Sequence, residues 1–401
     1  MKVLYLFLDG TKSPGVINKV KAKISYLNKS GIQTTGLFFN ANIKEKQFDE
    51  QTQIHYVPAR IKPLSKIYFR RGIRNWYLWF HYRSYNKQFY TQLIEEVEKF
   101  DFDLILLRYP LASKGLLKFV RKYSRRIVFE HNSKETVELR LAEKEQQSVK
   151  YYIEAEEKYG SRVLSNAAGI TAVGNELLNY ELSRVEGRNI PGCVIANSYD
   201  VNRVKLRQQP EYNGSELRLV FVTGSPSPWV GIDLLLEGLS NYRGAPKVSL
   251  KIVGPLSDKL TAMVHNCSAA NNIHLTGELS GAELDSCYDE AHLAIGTLAM
   301  QRVGLGEHSS LKVLEYAARG IPFIIGYEET NFPPQSEVAD CFLNVGYNGK
   351  SVDINAMVRF AGVVLNNRDA PTILRNWAVT HFNSEVKMNL LSNFIKSVYA
   401  K

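Results

Sequence analysis

Gly304-Leu-Gly-Glu-His-Ser-Ser-Leu-Lys-Val-Leu-Glu-Tyr-Ala-Ala-Arg-Gly-Ile-Pro-Phe323 decides the reading of this chain. Its carboxylates Glu307 and Glu315 lie eight positions apart. The first falls in a Gly-rich loop. The second falls in a short helix that Gly320 and Pro322 close. Ser309 or Ser310 is the expected N-cap. Leu311, Leu314 and Ala318 share one face and are expected to pack inward. Lys312, Glu315 and Arg319 share the other side, where a plain solvated ion-pair ladder is one reading, since Glu to Arg at i,i+4 is the favoured order. The other reading is a ligand site. A carboxylate on a helix and another before its start can grip different hydroxyls of one polyol, while the helix-start N–H groups and Lys312 hold its phosphates. That combination suits a sugar nucleotide.

Outward from this segment, strand-like and helical runs alternate. Val3–Leu8 reads as an apolar strand, Asn18–Asn28 as a helix, and Gly36–Asn40 and Ile54–Pro58 as strands. Leu104–Arg108 reads as a buried strand, followed by helix Lys114–Tyr123 and strand Ile127–Glu130. A single long charged helix is expected over Glu135–Ser165, then strand Gly169–Val173 and a helix over Asn175–Arg184. The polar segment Asp200–Ser215, with Pro210 and Gly214, reads as an interdomain linker. A second alternating run begins at Leu217, with later strands at Val248–Val253, Ile273–Leu275, Leu293–Thr297 and Phe323–Gly326. Such alternation implies parallel sheets with right-handed crossovers. The fold class is therefore α/β, with two doubly wound Rossmann-like domains. Their boundaries are expected at 1–205 and 206–379, with a central cleft between them as the default site.

The chain has 401 residues, too many for one ordinary core. Hydrophobic content of 45% and charged content of 22% are those of a globular protein. Cys193, Cys267, Cys287 and Cys341 have no metal or redox spacing and read as core thiols of a reducing compartment. Asp9 interrupts the apolar start, so a first strand is expected there and not a signal peptide. No stretch approaches 18 apolar residues, and the cytoplasm follows as the expected location. The net charge of +10 is unevenly spread. Between Gln51 and Ile94 there is no Asp or Glu, while Arg60, Lys62, Lys66, Arg70, Arg71 and Arg74 interleave with aromatics such as Trp76 and Trp79. That stretch fits an anionic membrane surface, which would make the protein peripheral at the inner face of the plasma membrane. Inward-packed aromatics with solvated basic residues fit it too. Nucleic acid is not expected, because no recognisable module accompanies the patch.

The Glu307–Glu315 spacing resembles the E-x7-E signature of the family 4 retaining glycosyltransferases, which have the GT-B fold. Further segments resemble that family in the expected order: Gly169–Glu176, Val194-Ile-Ala-Asn-Ser-Tyr-Asp200, Leu217–Gly224, Gly231–Gly238, Lys251–Gly254 and Ile273–Gly277. The resemblance implies a metal-independent hexosyltransferase without a cofactor. It would move a sugar from a nucleoside-diphosphate sugar to a saccharide or lipid-linked acceptor in surface polysaccharide synthesis. It implies that Glu315 binds ribose, that Glu307 contacts the donor sugar and that Lys312 with the helix start stabilises the leaving diphosphate. Ser309, Ser310, Leu311, Gly224, Ser225 and Arg302 complete the implied donor site. A terminal helix over about 380–401 would pack back onto the first domain. Ser225 and Val230 stand where the family often has an Arg and a Lys, which motivates a non-catalytic sugar-nucleotide binder as a second reading. A nucleotide-sugar epimerase is a third.

On the acceptor side, His131 and Asn132 follow a strand at its carboxyl end, where open α/β sheets place ligand groups. The resemblance assigns His131 to the donor sugar or acceptor, and a structural histidine is the alternative. Arg108 ends another strand and could hold an acceptor phosphate or be a rim charge. Gly15, in Ser13-Pro-Gly-Val-Ile17, belongs either to a plain turn or to an acceptor-facing loop. Asp101-Phe-Asp103 matches a bare metal motif but lacks other oxygen ligands and is not assigned a metal. Glu328 and Glu329 fit either a ribose contact or a solvated loop.

Overall fold

The computed structural model describes residues 1–8, 14–61, 71–143, 149–224, 227–346 and 349–400. They form two compact units, one of 1–195 with 388–401 and one of 196–387.

In the first unit the elements run β1 (Lys2–Phe7), α1 (Pro14–Lys29), β2 (Gln33–Asn40), β3 (Gln47–Asp49), β4 (Ile54–Pro58), α2 (Arg71–Val97), β5 (Leu104–Arg108), α3 (Lys114–Lys122) and β6 (Ile127–His131). They continue through α4 (Glu135–Glu143), α5 (Val149–Leu164), β7 (Gly169–Ala172), α6 (Asn175–Ser183) and β8 (Gly192–Val194). The strands form one sheet in the order β3-β4-β2-β1-β5-β6-β7-β8. All its described pairings are parallel except β3 with β4. Strands buried on both faces read as continuous apolar runs, which is why β1, β5 and β6 were legible. The expected long helix over 135–165 is instead described as two helices, α4 and α5, and residues 144–148 lie outside the described residues. Part of the basic, aromatic stretch also lies outside them, at 62–70, and nothing is described of the side chains at 71–81.

The second unit holds β9 (Glu216–Val222), α7 (Ile232–Asn241), β10 (Lys247–Val253), α8 (Asp258–Asn266), β11 (Ile273–Gly277), α9 (Gly281–Glu290) and β12 (Leu293–Ile295). Then come β13 (Glu307–His308), α10 (Leu311–Ala318), β14 (Phe323–Ile325), β15 (Glu328–Glu329), β16 (Phe342–Asn344), α11 (Ile354–Val364) and α12 (Ala370–Trp377). Its main sheet is parallel, in the order β11-β10-β9-β12-β14-β16. The segment read as a linker lies inside this unit, with Val201, Val204 and Arg207 buried. Arg207 donates to the carbonyls of Tyr288 and His292 at 2.8 and 3.3 Å. Helix α13 (Ser384–Tyr399) joins the first unit from Met388 onward, where Leu391 and Ile395 enter the core with Val3, Tyr5 and Ile24. Among the described residues no helix is long and apolar enough to cross a membrane.

Candidate functional site

Each sheet reverses its winding once, between β1 and β5 in the first unit and between β9 and β12 in the second. The carboxyl ends of the strands at such points are where doubly wound sheets place ligand groups. The candidate residues collect there in two separate sets.

In the second unit, Glu307 is in a two-residue strand rather than a free loop, and β13 pairs with β15 in parallel register. Ser310 is the N-cap of α10, but its side chain makes no cap hydrogen bond. Its backbone N–H donates instead to Glu329 Oε2 at 2.8 Å, and Tyr327 Oη donates to the same oxygen at 2.8 Å. Ser309 is fully buried. Its Oγ accepts from the Asn197 N–H at 3.1 Å and from Asn331 Nδ2 at 3.0 Å, and its carbonyl accepts from Asn197 Nδ2 at 2.6 Å. The serines expected to face a donor are therefore enclosed by a network that fixes the start of α10. The Ser310 amide is also occupied, which leaves the amides of Leu311 and Lys312 as the first-turn donors. Glu329 is not in a solvated loop: it is buried, and burial pushes its carboxyl up to about 7.

The buried face of α10 comprises Val313, Leu314, Tyr316, Ala317 and Ala318. Leu311, expected inside, is 39% exposed, because it occupies the first helical position at the end of the layer. Gly320 has φ +74°, and a Cβ there would stand 2.8 Å from the Pro371 carbonyl oxygen, so both conformation and space call for glycine. Glu315 Oε1 pairs with Arg319 at 3.0 Å, and Arg319 reaches Asp285 at 2.8 Å. The ladder reading is thus met in part, but the pair is largely buried rather than solvated. Burial raises the Glu315 carboxyl, opposed by Arg319.

Lys312 is outside that ladder. Its Nζ is buried, 5.0 Å from the centre of the Phe221 ring, and makes no hydrogen bond. Burial pulls its pKa down to about 8. Arg302, expected in the donor site, is committed elsewhere. Its guanidinium holds both oxygens of Asp233, at 3.0 and 2.6 Å, and the Pro228 carbonyl at 2.7 Å. Val230 is buried, Gly224 is exposed just beyond β9, and Ser225 lies outside the described residues.

In the first unit, Gly15 falls in the first turn of α1, and Ser13 lies outside the described residues. Lys19 Nζ donates to Asn132 Oδ1 at 3.1 Å. Lys23 pairs with the buried Glu130, which also accepts from Tyr5 Oη. Burial would raise the Glu130 carboxyl, but Lys23 and Tyr5 hold it below its usual value. Arg108, at the end of β5, adds a third cation that acts electrostatically on Lys19 and Glu138. Burial, together with Lys23, holds the Lys19 amine well below its usual range. Lys19, Lys23 and Arg108 thus gather at one corner of this sheet, with Glu130 and Glu138 as acidic neighbours. Sequence reasoning did not single out Lys19 and Lys23. Their four-residue spacing on α1 was the available signal.

His131 differs from its expected role. It is the last residue of β6 and only 1% exposed, stacked on Tyr109 with ring centres 4.3 Å apart. Its Nδ1 lies 3.4 Å from Glu181 Oε1 and 4.0 Å from Glu135 Oε1. The ring packs against Tyr109, Phe129, Glu135 and Glu181 and is almost wholly buried. Asp101 and Asp103 are both taken by Lys2, through its Nζ at 2.5 Å and its backbone N–H at 2.7 Å.

Residues 203–340 match the family described as "Glycosyl transferases group 1". No curated protein sequence matches the chain. Solved structures share its fold along nearly the whole length. Sucrose-phosphate synthase from Thermosynechococcus elongatus aligns with a TM-score of 0.68 at 13% identity, covering 100% of this chain and 99% of that one. HepE from Anabaena, in complex with UDP-glucose, aligns at 0.63 and 14%, covering 99% and 100%. WaaG, a glycosyltransferase involved in lipopolysaccharide biosynthesis, aligns at 0.63 and 10%, covering 98% and 99%. The fold is that of the GT-B glycosyltransferases.

Proposed function

We propose that this glycosyltransferase takes a nucleoside-diphosphate sugar as donor, moves the sugar with retention and uses no metal for that step. The observation that carries the reading is Lys312: a buried ammonium without a hydrogen-bond partner at the first turn of α10. A cation so placed is unfavourable unless an anion completes it. The leaving diphosphate is such an anion, and the Leu311 and Lys312 amides add the helix-start field. Glu315 would hold the ribose hydroxyls and Glu307 the donor sugar. HepE's complex with UDP-glucose supports a uridine donor. Lys19, Arg108 and Asn132 supply the charge and hydrogen bonds for a phosphorylated or lipid-linked acceptor. The departing phosphate takes the acceptor proton on the same face, so the step requires no protein nucleophile. The basic 51–94 stretch fits peripheral attachment at an anionic leaflet, which flotation with anionic vesicles at low and high salt tests.

The deciding experiment measures binding and diphosphate release across a panel of nucleoside-diphosphate sugars for wild type, Glu315→Ala and Lys312→Ala. Glu315→Ala is expected to weaken donor binding at least about tenfold, and Lys312→Ala to lower mainly turnover. Unchanged affinity and rate in both variants would remove the assignment. A second reading, a binder without turnover, is favoured by the buried, uncharged Val230 and by the commitment of Arg302 to Asp233. It predicts donor binding with no diphosphate release, even with membrane extract supplying acceptors.

A further inference from the structure

Beneath the carboxyl end of β6, the first unit holds a buried polar cluster that donor chemistry does not use. His131, Glu135 and Glu181 offer one ligand atom each, all within 4.8 Å of one another. His131 and Glu181 are buried, whereas the Glu135 side chain is 21% exposed and so gives the cluster a way in from solvent. Neither ring nitrogen of His131 makes a hydrogen bond, and neither does Glu181 Oε1. Yet His131 Nδ1 and Glu181 Oε1 are 3.4 Å apart. At that separation and alignment the two do not form a good hydrogen bond. Ligands about 2.1 Å from a tetrahedral metal ion are separated by roughly 3.4 Å, which the His131–Glu181 spacing matches, whereas Glu135 Oε1, 4.0 Å from His131 Nδ1, has to move closer to complete the set.

The surroundings support the same point. Arg184 Nη1 holds the other oxygen of Glu181, Oε2, at 2.8 Å, which leaves Oε1 directed at the histidine. Arg184 also pairs with Glu156, whose carboxylate accepts from Tyr109 Oη at 2.8 Å and from the Ala112 N–H. Gly160 makes room for this arrangement, since a Cβ there would stand 2.0 Å from Arg184 Nη2. Outer partners that fix ligand orientation are typical of metal sites. Charge completes the argument. Among the described residues, Arg184 is the permanent cation that Glu156 and Glu181 pair with, and Glu135 lies beside them. A neutral histidine and one divalent ion would balance the set in place of protons.

We propose that His131 Nδ1, Glu135 and Glu181 bind one divalent ion of the zinc class, with a water as fourth ligand. The ion is structural. It ties the end of β6 to the first turn of α4 and the last turns of α6, and so holds Asn132 and the β6–α4 connection in place. The nucleotide-sugar chemistry proposed for α10 does not pass through it.

The test uses full-length protein with its affinity tag removed. The protein is dialysed against EDTA, then titrated with zinc in competition with a chromophoric chelator. Wild type should take up one equivalent, and its melting temperature should rise with zinc and fall back with EDTA. Glu135→Gln, which keeps shape and leaves the Arg184 pairs intact, should weaken zinc at least about tenfold and abolish the zinc-dependent melting shift. Cobalt(II) added to wild type alone should show the visible absorption of a low-coordinate nitrogen–oxygen site, a readout that stands even if the variant does not fold. Absence of stoichiometric zinc and of the cobalt spectrum would overturn the proposal, leaving protons to balance the cluster. Equal zinc affinity in Glu135→Gln would overturn it as well, since binding would then lie elsewhere.

Discussion

At the scale of single residues, Lys312 ties stability and function together with opposite signs. Its folded pKa of about 8 lies below the ~10.4 of an unfolded chain. Between those values the unfolded chain binds the proton and the folded chain does not, so this group's contribution to stability rises with pH across that window and is flat below it. Lys312→Met should therefore stabilise the protein by on the order of 1 kcal/mol at pH 7, a gain of about 2–4 °C. Turnover should fall at least about tenfold in the same variant. A Met variant that melts below wild type would show that the ammonium is satisfied. Because only the protonated amine can face a diphosphate, wild-type kcat/KM should decline as pH rises through about 8 in a donor-limited assay. The sequence gives Lys312 its place at a helix start, but its isolation from the Glu315–Arg319 pair depends on Phe221, far away in the chain. His131 shows the opposite limit. Its strand-end position was legible, but its enclosure by Glu181 and Tyr109 was not, because no local pattern links those positions.

At the scale of elements, the start of α10 is held from outside by Glu329, on a strand two residues long. Glu329→Ala removes the acceptor for the buried Ser310 N–H and the Tyr327 hydroxyl. An unsatisfied buried donor costs about 1–3 kcal/mol, so the variant should melt several degrees lower. It should also raise the donor KM, although Glu329 has no assigned contact with the donor; an unaltered KM would mean that α10 keeps its place without this cap. The raised pKa of about 7 sets the pH dependence. From ~4.3, where the unfolded carboxyl titrates, up to about 7 the folded state binds the extra proton. The contribution of Glu329 is thus greatest at the acid end and declines as pH rises through this window. Chemical denaturation of wild type and Glu329→Gln at pH 5 and pH 7.5 should show a smaller wild-type advantage at the higher pH. Long, periodic elements such as α13 were legible in outline. Two-residue strands such as β13 and β15 carry no periodicity at all, and the Asn197–Ser309–Asn331 network joins positions more than a hundred residues apart, so neither had a local signal.

At the scale of the whole molecule, the two-unit plan was legible because doubly wound sheets require buried, continuously apolar strands that alternate with amphipathic helices. The position of the first division was not. The polar composition of 200–215 suggests a linker, whereas the buried Arg207 donates through Nη1 and Nη2 to carbonyls at the end of α9 and anchors the segment inside the second unit. The return of α13 has a testable cost. Leu391 is fully buried in the first unit, and Phe394 packs so closely on β7 that a Cβ at Gly169 would stand 2.9 Å from its Cζ. Leu391→Ala should cost about 2–5 kcal/mol, and Gly169→Ala about 1–3 kcal/mol through overpacking. Because the units have separate cores, the loss should be local. Hydrogen exchange in Leu391→Ala should accelerate through β1, β5 and β7 while β9 and β10 keep their wild-type protection. Equal acceleration in both sheets would mean that the two units unfold as one cooperative body, and that α13 is a strut of the whole chain rather than the last helix of its first core.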